Sequence, residues 1–165
     1  MNWYKKAKVP IDFDKLIAVI ASLGGFPFGG NCGIFSFGLG KFLKENGINS
    51  SLVFFSNTDN FNDFIDSEVS LYHVALKLSD GRILDGDGFT SLQGIVDNMV
   101  FPEYNDASPY VDFYALDDNS LKAIRFQTSY YGDWQTFYNE IKNRYNSEVK
   151  TEYDNNLFKE KDEDD

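Results

Sequence analysis

The stretch that most constrains the fold is "CGIFSFGLGKFLKEN", Cys32 to Asn46. Phe35, Leu39, Phe42 and Leu43 recur at i, i+4, i+7 and i+8, which predicts a helix stopped by Gly47. Gly38 and Gly40 lie inside it, and each glycine there costs about 1 kcal/mol against alanine. A helix that keeps both is expected to lie close against a neighbouring layer. It should therefore be central and buried, with the rest of the chain folded around it.

The flanking segments supply those layers. Asp12 or Asp14 caps a first helix presenting Leu16, Ile17, Val19, Ile20 and Leu23, ended by Gly24-Gly25. "FPFGGN" reads as a loop. "SSLVFFS" (Ser50 to Ser56) reads as a strand, and Asn57 to Asp66 as a polar loop or short helix. "LYHVALKL" and "RILDGDG" form a strand pair around Ser79-Asp80-Gly81. Thr90 or Ser91 caps a short helix, "LQGIVDNMV". "YVDFYAL" and "LKAIRFQT" are expected as further strands. Gly132-Asp133 opens a last helix, with Trp134, Phe137, Ile141 and Tyr145 on one stripe. The order predicts one α+β domain over residues 1–150, with a central helix packed on an antiparallel sheet. From Thr151 to Asp165 there are seven acidic residues and two lysines, read as a solvated, mobile tail.

Charge and cysteine usage narrow the function classes. With 15 basic and 26 acidic residues the net charge is −11, which repels phosphate backbones and anionic membrane surfaces. Nucleic-acid and membrane partners are therefore not expected, whereas basic or neutral protein and peptide substrates are favoured by steering. One cysteine makes no internal disulfide and no CxxC metal site. The apolar run Leu16 to Leu23 follows Asp12, Asp14 and Lys15 and suits an amphipathic helix better than a signal segment. A reducing cytoplasm, of a bacterium or of a virus growing in one, is the expected location.

The single histidine, His73, falls on the first strand of the predicted hairpin. A two-residue turn at Asp80-Gly81 would place Asp85 on the apolar face with Val74, Leu76 and Leu78, a costly place for a carboxylate. A three-residue loop, Ser79-Asp80-Gly81 with Gly81 left-handed, instead buries Val74, Leu76, Leu78 and Leu84 together. His73, Ala75 and Lys77 then share the other face with Ile83, Asp85 and Asp87. Both acids fall near the imidazole, Asp87 directly across and Asp85 diagonally.

These residues can carry nucleophilic chemistry. A helix start offers free N–H groups and partial positive charge, which favour the thiolate form of a cysteine. A histidine on a neighbouring strand can take the thiol proton and later give it to a leaving group, and an acid can fix the imidazole tautomer. The N–H groups of Cys32 and Gly33, with the Asn31 side chain, could meet a developing oxyanion. No cofactor and no metal is required. Calcium binding by Asp80, Asp85 and Asp87 fits poorly, because Phe89 and Thr90 stand where an EF-hand places an oxygen ligand and a glycine. "GGFPFGG" lacks the Lys-Ser/Thr ending of a phosphate-binding loop.

"GGNCGIFSFGLGKFLKENGI…HVALKLSDGRILDGDGF", residues 29 to about 90, resembles the core of the papain-like cysteine hydrolase superfamily, in its small transglutaminase-like and bacterial or phage versions. Arylamine N-acetyltransferases show a similar "GG-x-C" and "H…D-G-R…D-x-GF" arrangement. The resemblance implies a papain-like fold, with Cys32 as nucleophile, His73 as base, Asp85 as orienter and Asp87 as the reserve acid. It implies hydrolysis or acyl transfer at an amide, isopeptide or thioester bond. The competing expectation is a non-catalytic interaction protein, binding through the aromatic-rich stretches "SSLVFFSN", "TSYYGDW" and "EYNDASPYVDFY".

Overall fold

The computed structural model describes residues 9–28, 30–65, 70–99, 108–127 and 132–147. The acidic tail at 151–165 lies outside them. Among the described residues there are five α-helices and five strands, two helices first, then four strands, a helix, a strand and two helices. They are α1 (Phe13–Ser22), α2 (Cys32–Glu45), β1 (Ser50–Ser56), β2 (Leu71–Leu78), β3 (Ile83–Asp85), β4 (Gly88–Thr90), α3 (Leu92–Met99), β5 (Tyr110–Tyr114), α4 (Asp118–Gln127) and α5 (Trp134–Asn146). A 3-10 turn spans Phe61–Ile65, where the sequence predicts a loop or short helix.

Helix α2 is the centre of the molecule. Every residue from Gly33 to Leu43 except Lys41 is buried, the pattern of a helix enclosed on all sides. Its glycines are the points of close approach. A Cβ on Gly38 would stand 2.6 Å from the Trp134 carbonyl oxygen and 3.0 Å from the Tyr138 nitrogen, both backbone atoms of α5. A Cβ on Gly40 would meet Leu116 at 2.9 Å and Leu76 of β2 at 3.3 Å. The helix is thus held between α5 and the sheet. Ser36, an isolated hydroxyl on this apolar rod, donates to the Val74 carbonyl of β2 at 3.1 Å. Gly47, at φ +82°, ends the helix region as expected.

The sheet is antiparallel throughout, in the order β4-β3-β2-β1-β5. In the hairpin, Leu76 pairs with Leu84 and Lys77 with Ile83, the register of the three-residue loop. Gly81 is left-handed at φ +93°, and its N–H reaches the Leu78 carbonyl. Leu76 and Leu84 enter the main core with Phe54, Leu39 and Phe42. The opposite face carries a second, smaller core: Val53, Phe55, Ala75 and Ile83 under Ile95 of α3.

Two local expectations are corrected. "RILDGDG" is two strands, not one: the chain turns at Gly86-Asp87, and β4 returns to pair with β3. "LKAIRFQT", expected as a strand, lies in helix α4, with Thr128 outside the described residues. Asp117 starts this helix by accepting the Ser120 N–H at 3.0 Å, and Leu121, Ala123 and Ile124 face the core while Lys122 and Arg125 face solvent. Strand β2 also carries a bulge, which the sequence did not address. Phe55 pairs with His73 but Ser56 with Leu71, so Tyr72 is the extra residue. Among the described residues no helix is long and apolar enough to cross a membrane.

Gly38→Ala is expected to destabilise by about 1–3 kcal/mol, because a methyl group has no room against backbone, although alanine is the better helix former. Gly25→Ala, with nothing within 4 Å of the added carbon, should leave the thermal midpoint unchanged. Equal midpoints in the two variants would show that Gly38 is not a contact point.

Candidate active site

Cys32 is the first residue of α2, partly buried and free of any disulfide. Asn31 precedes it with αR backbone and makes no side-chain cap. Its Nδ2 donates instead to the Phe26 carbonyl at 3.0 Å, and its Oδ1 is buried without a partner. The first-turn N–H groups of α2, Cys32 and Gly33 among them, are therefore not taken by that amide. Gly33 sits tightly under α4, where an added Cβ would stand 2.7 Å from Ile124 Cγ2.

His73 lies on β2 beside the bulge, its ring 5.9 Å from that of Phe55. Nε2 lies 3.0 Å from Asp85 Oδ2. The Cys32 side chain is near enough to the imidazole for both a hydrogen-bond and a charge interaction. With Nε2 held by Asp85, Nδ1 is the nitrogen left for sulfur. The structure thus brings together the three residues that the sequence singled out.

Asp85 ends β3 and is 4% exposed. A carboxylate at that depth needs partners, and it has two: His73 on Oδ2, and the Asp87 backbone N–H on Oδ1 at 2.9 Å. Asp87 contributes that N–H, while its residue stands exposed. The hairpin register had left both acids open; the turn at Gly86 assigns the ring to Asp85. Asp80, third of the acids weighed for calcium, is exposed and paired with Arg82. Among the described residues, no group of three His, Cys, Asp or Glu side chains is arranged to hold a metal.

Burial by itself would lower the His73 pKa, since it penalises the charged ring. The hydrogen bonds to Asp85 and Cys32 and the charges of both outweigh it and raise the value from 6.5 to about 9. The ring is accordingly protonated at neutral pH, between two acidic groups.

Two residues that sequence reasoning missed help to set this geometry. Ser36, one turn along from Cys32, is tied to Val74, the neighbour of His73. A single hydroxyl in an apolar helix is a readable signal, because a buried hydroxyl needs a partner. Tyr72, the bulge residue, carries no comparable signal. Comparison of the chain with family models, with curated proteins and with solved structures gives no match.

Because the folded pKa of His73 lies above 6.5, folding takes up a proton there. This contribution is full below pH 6.5 and is lost as pH rises through about 9. Unfolding measured from pH 6 to 9.5 should show stability falling by up to ~1.4 kcal/mol per pH unit from this group. His73→Gln should flatten that decline; parallel profiles for the two proteins would contradict it.

Proposed function

We propose that the chain is a cysteine hydrolase or acyl transferase on a papain-like core, in which Cys32, His73 and Asp85 act on an amide, isopeptide or thioester bond of a protein or peptide. The observation that carries this reading is the position of His73, bonded to buried Asp85 on one side and near enough to Cys32 on the other for the thiol to raise its pKa. The cysteine opens a buried helix, and the histidine and acid lie on successive antiparallel strands.

The steps follow from these positions. Cys32 Sγ attacks the carbonyl carbon, and the carbonyl π pair moves to oxygen. The first-turn N–H groups of α2 meet that oxyanion. As the tetrahedral species collapses, the bond to the leaving nitrogen or sulfur breaks, and His73 Nδ1–H supplies the leaving group's proton. Water, or an amine in a transferase, then attacks the acyl carbon and gives its proton to His73 Nδ1; the C–S bond breaks with its electron pair going to sulfur, which restores the starting pair of Cys32 sulfur and protonated ring. Asp85 holds the ring orientation throughout. A net charge of −11 favours neutral or basic substrates, and an unpaired thiol suits a reducing cytoplasm.

A second reading, a non-catalytic interaction protein, draws on Tyr110 and Phe113, which are about half exposed on the edge strand β5. Alkylation of Cys32 by iodoacetamide at pH 7 separates the two. An ordinary thiol is only a few per cent thiolate at that pH, so His73→Ala and Asp85→Ala should each react about tenfold or more slowly than the unaltered protein. Asp87→Asn should keep the original rate, since only its backbone N–H reaches Asp85. Uniformly slow labelling in all four proteins would leave the interaction reading.

A further inference from the structure

The loop between α1 and α2 joins both halves of the candidate site. On the nucleophile side, Asn31, 5% exposed, holds the Phe26 carbonyl through Nδ2 at 3.0 Å and leaves its own Oδ1 buried and unpartnered. On the acid side, Pro27 and Phe28 rest on Gly86, the residue that follows Asp85. A Cβ there would stand 2.8 Å from Pro27 Cβ and 3.0 Å from Phe28 Cζ. The loop is thus anchored at the residue before Cys32 and at the residue after Asp85.

Within this anchored loop the Phe26 ring is left out, 63% exposed. An exposed phenyl group gains free energy whenever an apolar surface covers it. Two other exposed rings are partly covered, Phe89 by Phe13 and Arg82 and Phe113 by the Lys77 ammonium, while Tyr110 and Phe126 stand on β5 and α4 and not on this loop. From Gly24 to Asn31 the chain carries no charged side chain, so this loop offers a ligand no ionic contact.

We infer that Phe26 is the specificity-determining side chain of the site, and that it selects substrates with a large apolar group, aromatic or branched aliphatic, next to the bond attacked. This rests on the thiol-enzyme reading given above. Asn31 and Gly86 are positioning residues: they fix the loop that carries the ring and do not themselves meet the substrate.

The test compares iodoacetamide with N-benzyl iodoacetamide. Both bring the same iodomethylene carbon to Cys32, and only the second carries a ring for Phe26 to cover. Rates at pH 7 are divided by those of the same reagents with free glutathione. The unaltered protein should favour the benzyl reagent about five- to tenfold, as expected for partly covering one phenyl group. Phe26→Ala should lose that preference and Phe26→Trp should keep it. An unchanged preference in Phe26→Ala, or none in the unaltered protein, overturns the inference even if labelling still depends on His73. Labelling that is indifferent to His73→Ala overturns the thiol-enzyme reading, and the inference with it.

Discussion

The close approach of α2 to its neighbours is the constraint on which the remaining structure depends. Alanine at position 38 would be driven into the α5 backbone, and alanine at 40 into Leu116 and Leu76. With hydrogen there instead, one buried helix can touch α5 and the sheet at once. That contact brings Ser36 within hydrogen-bonding distance of the Val74 carbonyl. Cys32 lies one turn before Ser36, and His73 one residue before Val74. The nearness of sulfur to imidazole therefore follows from packing set elsewhere along the helix.

Electrostatics then act on what packing has assembled. Asp85 is nearly inaccessible to water, so its charge is compensated by the His73 ring and the Asp87 N–H rather than by solvent. The imidazole experiences the same low-dielectric surroundings, which oppose its charge, together with two acidic neighbours that favour it. The neighbours prevail, and the pKa rises to about 9. A protonated ring beside a cysteine at a helix start suits acyl transfer, because a proton is ready for the leaving group before the bond to it breaks.

Legibility in the sequence followed the range of the interactions. Helices α1, α2, α3 and α5 and strands β1, β2 and β5 could be read because their periodicity and caps lie within a few residues of one another. The hairpin register was also readable, since only one loop length keeps Asp85 off the face of Leu76 and Leu84. Helix α4 was misread because its apolar residues are few and short strands share such patterns. The deciding feature was the cap from Asp117 to the Ser120 N–H. Strand β4 is three residues long and exists through its pairing with β3. The bulge at Tyr72 arises from a mismatch between two strands, and neither strand records it alone.

By itself the sequence determined that a lone thiol would open a buried helix, and that a lone imidazole would share a strand face with Asp85, whereas Asp87, expected on that face, falls in the turn after β3. Those outcomes depend on hydrophobic period, glycine placement and loop length, all of which are local. Only the tertiary structure decided which carboxylate meets the ring, that the ring reaches the sulfur, and that Asn31 turns back to hold Phe26. Each of these joins segments distant in the chain or rests on a turn whose shape its neighbours impose. Packing density in the folded core, rather than any one-dimensional pattern, sets such distances.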